Sequence, residues 1–235
     1  MKKPLLSIIF CLFLTCSSPI PALADFTQVS IALSDRKLAL SLIQQTATSY
    51  FQIQSGDLQP YLKEEPFQVI PLFYLSTVTK TPPAAVWKQK GKGWGKLGKE
   101  LGLPANFHGK YISAKNKHKK GPPPAKENDL LEELFIIRFL HECYGADPEL
   151  LFYWRARGLT YDDLFIGVNL GLRLKKSPAE FFALRISGKD WQFIAAKFKV
   201  SYLSLGQPAK EKDKPKPKPK PSPPANKGKG GKGKK

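Results

Sequence analysis

Cysteine is nearly absent from this chain. Three occur in 235 residues, and two of them, Cys11 and Cys16, lie in an apolar leader. Past that leader only Cys143 is left, which excludes an intramolecular disulfide and makes the fold depend on its core. Cys143 sits in an apolar helical run and reads as a small buried hydrophobe. Histidine is also scarce, with only His108, His118 and His141. "HEC" (141–143) is not H-E-x-x-H, and no second His/Cys pair has zinc spacing. His141 lies beside the helix face of Ile137 and Leu140, a core or boundary position, while His108 and His118 sit in basic, loop-like sequence. No serine nucleophile elbow is present. The acidic pairs Glu132-Glu133 and Asp162-Asp163 fall near helix starts, where the helix dipole and solubility explain them. The sequence therefore predicts no enzyme, with no catalytic, cofactor-binding or metal-binding residue.

Beyond the N-terminus no run is long and apolar enough to span a membrane. The N-terminus itself reads "MKKPLLSIIFCLFLTCSSPIPALADF". Lys2 and Lys3 form a positive start, residues 4–14 an apolar run, and Ala22-Leu23-Ala24 a small-x-small site. This is the pattern of a secretory signal, residues 1–24, cut after Ala24. It predicts an exported protein, periplasmic or secreted. "LTCS" (14–17) offers the alternative of lipid anchoring through Cys16, although Thr15 stands where a small residue is usual.

Acidic residues are missing from two stretches. Residues 80–126 carry twelve basic and one acidic residue, and residues 209–235 carry eleven and two. Residues 25–79 (three basic, five acidic) and 127–208 (ten basic, eleven acidic) are close to neutral. The formal charge of +19 is therefore local, and so is the surface that would seek an anionic partner. The tail from 207 to 235 alternates Lys and Pro and ends in Gly and Lys, too few apolar residues to offset ordering entropy, so disorder is expected there. Residues 113–128 read as a basic, Pro-rich loop between two helical parts, 25–112 and 129–206.

The remaining pattern is helical, and the expected class is all-α. "SDRKLALSLIQQTATSYFQIQ" (34–54) offers Ser34 or Asp35 as a cap and Leu38, Leu42 and Tyr50 on one face. "EPFQVIPLFYLSTVTK" (65–80) reads as a short buried helix from near Pro66. "NDLLEELFIIRFLHECYG" (128–145) has Leu130, Leu134, Ile137 and Leu140 at helical spacing and Gly145 as a stop.

Three stretches share one spacing. They are 84–103, 151–172 and 181–200. Gly91, Gly158 and Gly188 coincide, and Trp94, Tyr161 and Trp191 follow each three residues later. Leu97, Leu164 and Ile194 come three after those, and Leu101, Val168 and Phe198 four further on. Offsets of three and four put the aromatic and both aliphatics on one helix face. Upstream, Thr81, Asp147 and Ser177 precede prolines, the expected N-cap and first helical residue. Thr160 and Asp190 are expected to cap the second helices. The unit is a capped helix, a glycine stop and an aromatic-led second helix, whose apolar face is buried by packing copies together or against the helices at 66–79 and 129–144. Its G-x-x-W-x-x-[IL]-A-x-x-[LF] pattern resembles repeats of exported bacterial proteins of uncharacterised function. The resemblance covers about half the mature chain, and it implies a helical fold and export but no activity.

"GKGWGKLGKELG" (91–102) also matches two phosphate-binding patterns, G-x-G-x-x-G and G-x-x-x-x-G-K. A P-loop needs a preceding buried strand and a Ser or Thr after the lysine, yet a Pro-led helix precedes and Glu100 follows. The stretch reads instead as the most basic copy of the repeat. "WQFIAAKFKVSYLSLG" (191–206) has a helix-turn-helix outline, but "SYLSLG" lacks Arg, Asn or Gln for base edges, so specific DNA binding is not expected. Trp87, Trp94, Trp154 and Trp191 fall at related repeat positions, with packing as their default role.

The expected function is binding of anionic envelope polymers or surfaces by the loop and tail. The candidate residues are Lys110, Lys115, Lys117, Lys119 and Lys120, then Lys214, Lys216, Lys218, Lys220, Lys227, Lys229 and Lys232. The alternatives are a helical-repeat scaffold for a protein or peptide, which calls for exposed Trp94, Trp154 and Trp191, and, more remotely, nucleic-acid binding or an envelope hydrolase built around His141 or the acidic pairs.

Overall fold

The computed structural model describes residues 21–63, 65–117 and 127–209, with side chains from Ser34 in the first helix and from Leu130 in the seventh. Every regular element among them is helical. In chain order they are α1 (Pro21–Phe51), α2 (Ser55–Leu62), α3 (Val69–Thr79), α4 (Pro83–Lys88), α5 (Trp94–Glu100), α6 (Gly109–Asn116), α7 (Glu127–Tyr144), α8 (Pro148–Arg155), α9 (Tyr161–Leu174), α10 (Pro178–Ile186) and α11 (Trp191–Lys197). Short 3-10 turns at Pro66–Gln68, Lys90–Lys92 and Tyr202–Gly206 join them.

One buried apolar cluster runs from Leu38 in α1 to Leu205 in the last turn, so the described residues up to 117 and from 127 onward share a core. Its centre is α9. Asp163 to Gly171 are all buried there, nine residues in a row, because α1, α7 and α10 surround the helix. α9 needs a small residue where α10 crosses it. A methyl group on Gly167 would lie 2.2 Å from Cε1 of the fully buried Phe182, so glycine sets the approach of the two helices. α1 packs along α9 with Leu38, Leu42, Ile43 and Ala47 at helical spacing. α3 and α7 supply a second layer rich in aromatics, in which Phe51 stacks on Phe139 at 5.8 Å and Tyr74 meets Phe135 at 5.7 Å.

Stretches 151–172 and 181–200 share their local helix-end geometry. Asp147 and Ser177 accept from the backbone N–H of Glu149 and Ala179, with Pro148 and Pro178 as the first helical residues. Gly158 and Gly188 take φ of +98° and +85°, and each donates back to the end of its helix, closing it with a second bond from the next residue, Leu159 or Lys189. Thr160 and Asp190 then cap α9 and α11 by accepting from Asp163 and Phe193 N–H. The two copies pack directly through α9 and α10.

Copy one differs, and it corrects two expectations. Thr81 is not a cap. Pro82 holds that position without a side-chain bond, and the Thr81 hydroxyl accepts from Thr79 instead. Gly91 is not the left-handed stop either. It lies inside the turn Lys90–Lys92, and Gly93, at φ +84°, makes the reversal. This copy packs on α3 and α7, so the three units do not stack as one row.

Two further expectations change. α1 runs through Ser34 and Asp35 without a cap there, and Asp35 is buried in mid-helix, held by Tyr202. α2 forms around Pro60, which the sequence reading left unassigned. α6 extends to Asn116, so the first residues of the expected 113–128 loop are helical. Among the described residues only a 3-10 turn follows α11, so 191–206 holds no second helix of a helix-turn-helix. The chain leaves the described core by a clasp. Buried Asn169 of α9 donates to Gln207 C=O at 2.9 Å and accepts from Ala209 N–H at 2.8 Å.

Candidate anion-binding surface

α4 and α5 each bury one side, while the turn Lys90–Lys92 between them buries nothing. Val86, Trp94, Leu97 and Gly98 are buried, and Leu97 and Trp94 hold α5 to α7. Lys88, Lys96 and Lys99 are exposed on the other side. Lys90 lies 3.8 Å over the Trp87 ring, which rests on Tyr61 at 5.1 Å. Lys92 bridges to Glu100 at 2.7 Å, and that neighbour lowers the Glu100 carboxyl below its usual range. Glu100 is the only acidic residue of 80–126, so this pairing leaves Lys88, Lys96 and Lys99 as cationic surface. Two exposed lysines on one turn of α5 repel each other mildly in the free protein, a cost that a bound anion would relieve.

The candidate lysines of the loop divide. Lys110 is exposed on α6, with its ammonium 4.8 Å over Tyr111. Lys115 is tied to buried Glu133, which also faces Arg155 Nε at 3.5 Å, and Lys117 pairs with Glu149. The charges of Lys115 and Lys117 are therefore balanced within the fold, linking α6 to α7 and α8. Lys119, Lys120 and the tail lysines Lys214, Lys216, Lys218, Lys220, Lys227, Lys229 and Lys232 lie outside the described residues.

Of the structural-repeat residues, Gly91, Gly158 and Gly188 are exposed and the large apolar ones belong to the core. Trp94, Leu97, Leu164, Trp191 and Ile194 are buried, and Tyr161 is half-buried. Trp154 is buried as well, so none of Trp94, Trp154 and Trp191 offers the open stacking face that a peptide-binding scaffold would use. Stretch 91–102 is a turn and a helix with another helix before it, which removes the strand that a phosphate-binding loop is built on.

The titratable groups serve local structure. His141 Nδ1 is 2.8 Å from Ala146 C=O at the end of α7. His108 is buried between Phe107 and Phe135, with neither ring nitrogen hydrogen-bonded, and burial, with Arg138 nearby, lowers its pKa to about 4. His118 lies outside the described residues. Glu142 accepts from Arg138 Nε at 2.8 Å and from the hydroxyls of Tyr50 and Tyr74, clamping α1, α3 and α7. No group of three His, Cys, Asp or Glu among the described residues is placed to hold a metal.

Asp163 has a role that the sequence did not reveal. Its Oδ1 accepts from Arg185 Nε at 2.8 Å and from Trp191 Nε1 at 2.9 Å. Its Oδ2 accepts from the N–H and hydroxyl of Thr160, completing a capping box. One carboxylate thus joins copy two to copy three. Asp162, beside it, is half-buried, 4.0 Å from Arg36, and burial pushes its carboxyl up to about 6. Compared with protein-family models, curated proteins and solved structures, the chain shows no match to any of them.

Proposed function

We propose that this is an exported, non-enzymatic envelope protein that holds to anionic polymer or anionic surface through its basic segments. The observation that carries this reading is the distribution of charge. Twenty-three of the basic residues fall in 80–126 and 209–235, against three acidic ones. The lysines at 88, 96 and 99 stand exposed on the fold. Many weak contacts of this kind add through neutralised charge and are screened once the Debye length falls below about 10 Å near 0.1 M salt. The helical units act as the mount, and the helix–Gly–helix resemblance to exported bacterial repeat proteins supports the same compartment.

The test is retention on an immobilised sulfated polysaccharide. The full chain and a chain ending at Ala209 are compared across a salt gradient. The shortened chain is expected to elute at markedly lower salt, and its Lys96→Gln/Lys99→Gln variant lower still. Coincident elution of the full and shortened chains at low salt defeats the reading. Intact mass of the exported form separates cleavage after Ala24 from lipidation at Cys16.

A further inference from the structure

The near-neutral balance of 127–208 hides a division. Residues 127–172 carry nine acidic and three basic residues, whereas residues 173–203 carry seven basic and two acidic. The positive share coincides with the third repeat copy. Of its two acids, Asp190 caps α11 and Glu180 pairs with Lys176 at 3.4 Å. Arg173 and Arg185 are engaged with Ser204 and Asp163. Lys189, Lys197 and Lys199 are exposed, and among the described residues no carboxylate pairs with them.

The same elements expose large apolar side chains. Ile186 at the end of α10 is 44% exposed, Phe193 on α11 47%, and Leu203 in the turn Tyr202–Gly206 75%. α10 packs on α11 and α11 on that turn, so the three residues belong to one contiguous set of short elements. The Lys189 ammonium lies 5.1 Å over the Phe193 ring, placing cation and apolar surface together. Single exposed apolar residues are ordinary, but three within eighteen residues, set among unpaired lysines, are not a random scatter.

A soluble polyanion would use the lysines and gain nothing from Leu203. A bilayer interface uses both, because aliphatic and aromatic side chains enter the headgroup–acyl boundary while lysines reach the phosphates. We propose that the outer face of α10, α11 and the turn Tyr202–Gly206 docks on an anionic lipid bilayer. Phe193 and Leu203 enter the boundary layer, and Lys189, Lys197 and Lys199 contact lipid phosphate. Its residues are distinct from the lysines of the loop and tail, and the proposal does not depend on their role.

The full chain carries an apolar N-terminal run, so the readout must be specific to the face. In a Leu203→Trp variant with vesicles rich in phosphatidylglycerol, brominated acyl chains are expected to quench fluorescence beyond the level of the unaltered chain. Pure phosphatidylcholine vesicles are expected to give little extra quenching. A Phe193→Ser/Leu203→Ser variant should partition to the anionic vesicles about tenfold more weakly. Its retention on sulfated polysaccharide should not change, and both positions are exposed enough for its melting temperature to hold. Absence of extra quenching in Leu203→Trp overturns the proposal, as it would if the face instead meets a soluble protein. So does unchanged partitioning of the double variant, or loss of vesicle binding together with polysaccharide retention. Failure of the tail-truncation experiment alone leaves this result unaffected and removes only the polyanion reading.

Discussion

The first and second copies of the repeat carry the same spacing on opposite kinds of ground. The second copy is the middle of the protein. Its helix α9 is buried on every side, its glycine stop is left-handed, and Asp163 ties it to the third copy. The first copy lies at an edge, its cap has no side-chain bond, and its reversal has moved from Gly91 to Gly93. The position nine residues after the first glycine shows the same contrast. It is Gly167 in the buried copy, and the exposed Glu100 and Lys197 in the other two. Spacing fixes which face is apolar. What packs on the opposite face decides whether that face is small and buried or charged.

The largest break in this comparison should come from Asp163→Ala. It strands the Arg185 guanidinium and the buried Trp191 N–H and removes a cap, for a loss of about 4 kcal/mol in urea unfolding. A loss below about 1 kcal/mol would show that Asp163 does not join the copies.

Acid should separate the two regions next. His108, lowered from 6.5 to about 4, is neutral in the fold, so the unfolded chain takes up its proton first as pH falls. Stability from this group is present above 6.5 and lost toward 4, on the order of 3 kcal/mol. Asp162, raised from 3.8 to about 6, works in the other direction. The fold takes its proton first, so stability is gained as pH falls from 6 toward 3.8, by about 3 kcal/mol. His108→Leu should therefore flatten the acid limb between pH 6.5 and 4, and Asp162→Asn should steepen it. Urea midpoints across that window decide, and identical acid limbs for all three chains would count against both assignments.

Gly167→Ala should cost about 2 kcal/mol, because Phe182 has nowhere to move. Lys197→Ala, at the equivalent exposed place, should stay within about 0.5 kcal/mol of the parent. The finest contrast is in the stops. Gly188→Ala should cost about 1 kcal/mol for its left-handed backbone, while Gly91→Ala should change stability by less than about 0.5 kcal/mol. Equal effects at the two glycines would mean that copy one turns as the others do. Thermal melts of the paired variants measure this directly.

Much of the helical outline was legible because it is written locally. Pro148 and Pro178 after Asp147 and Ser177, and the stops at Gly145, Gly158 and Gly188, each act within a few residues. α2 and α6 were not legible for the same reason: Pro60 falls inside one, and the other begins at Gly109 with no side-chain cap. They form because Leu58, Tyr111 and Ala114 find a core supplied from elsewhere. The site was harder still. Asp163 meets partners 22 and 28 residues away, and Lys115 meets Glu133 across the loop, so neither role has a local signature. Charge summed over 127–208 cancelled to near neutrality what the fold keeps apart.

Asn169 gives the molecule a mechanical character. A pull on the chain beyond Ala209 reaches the body through the Asn169 amide, on its most enclosed helix. The load therefore enters at α9, and α11 and its turn are spared from being peeled away first. A tether attached beyond Ala209 would load this enclosed helix before the third copy.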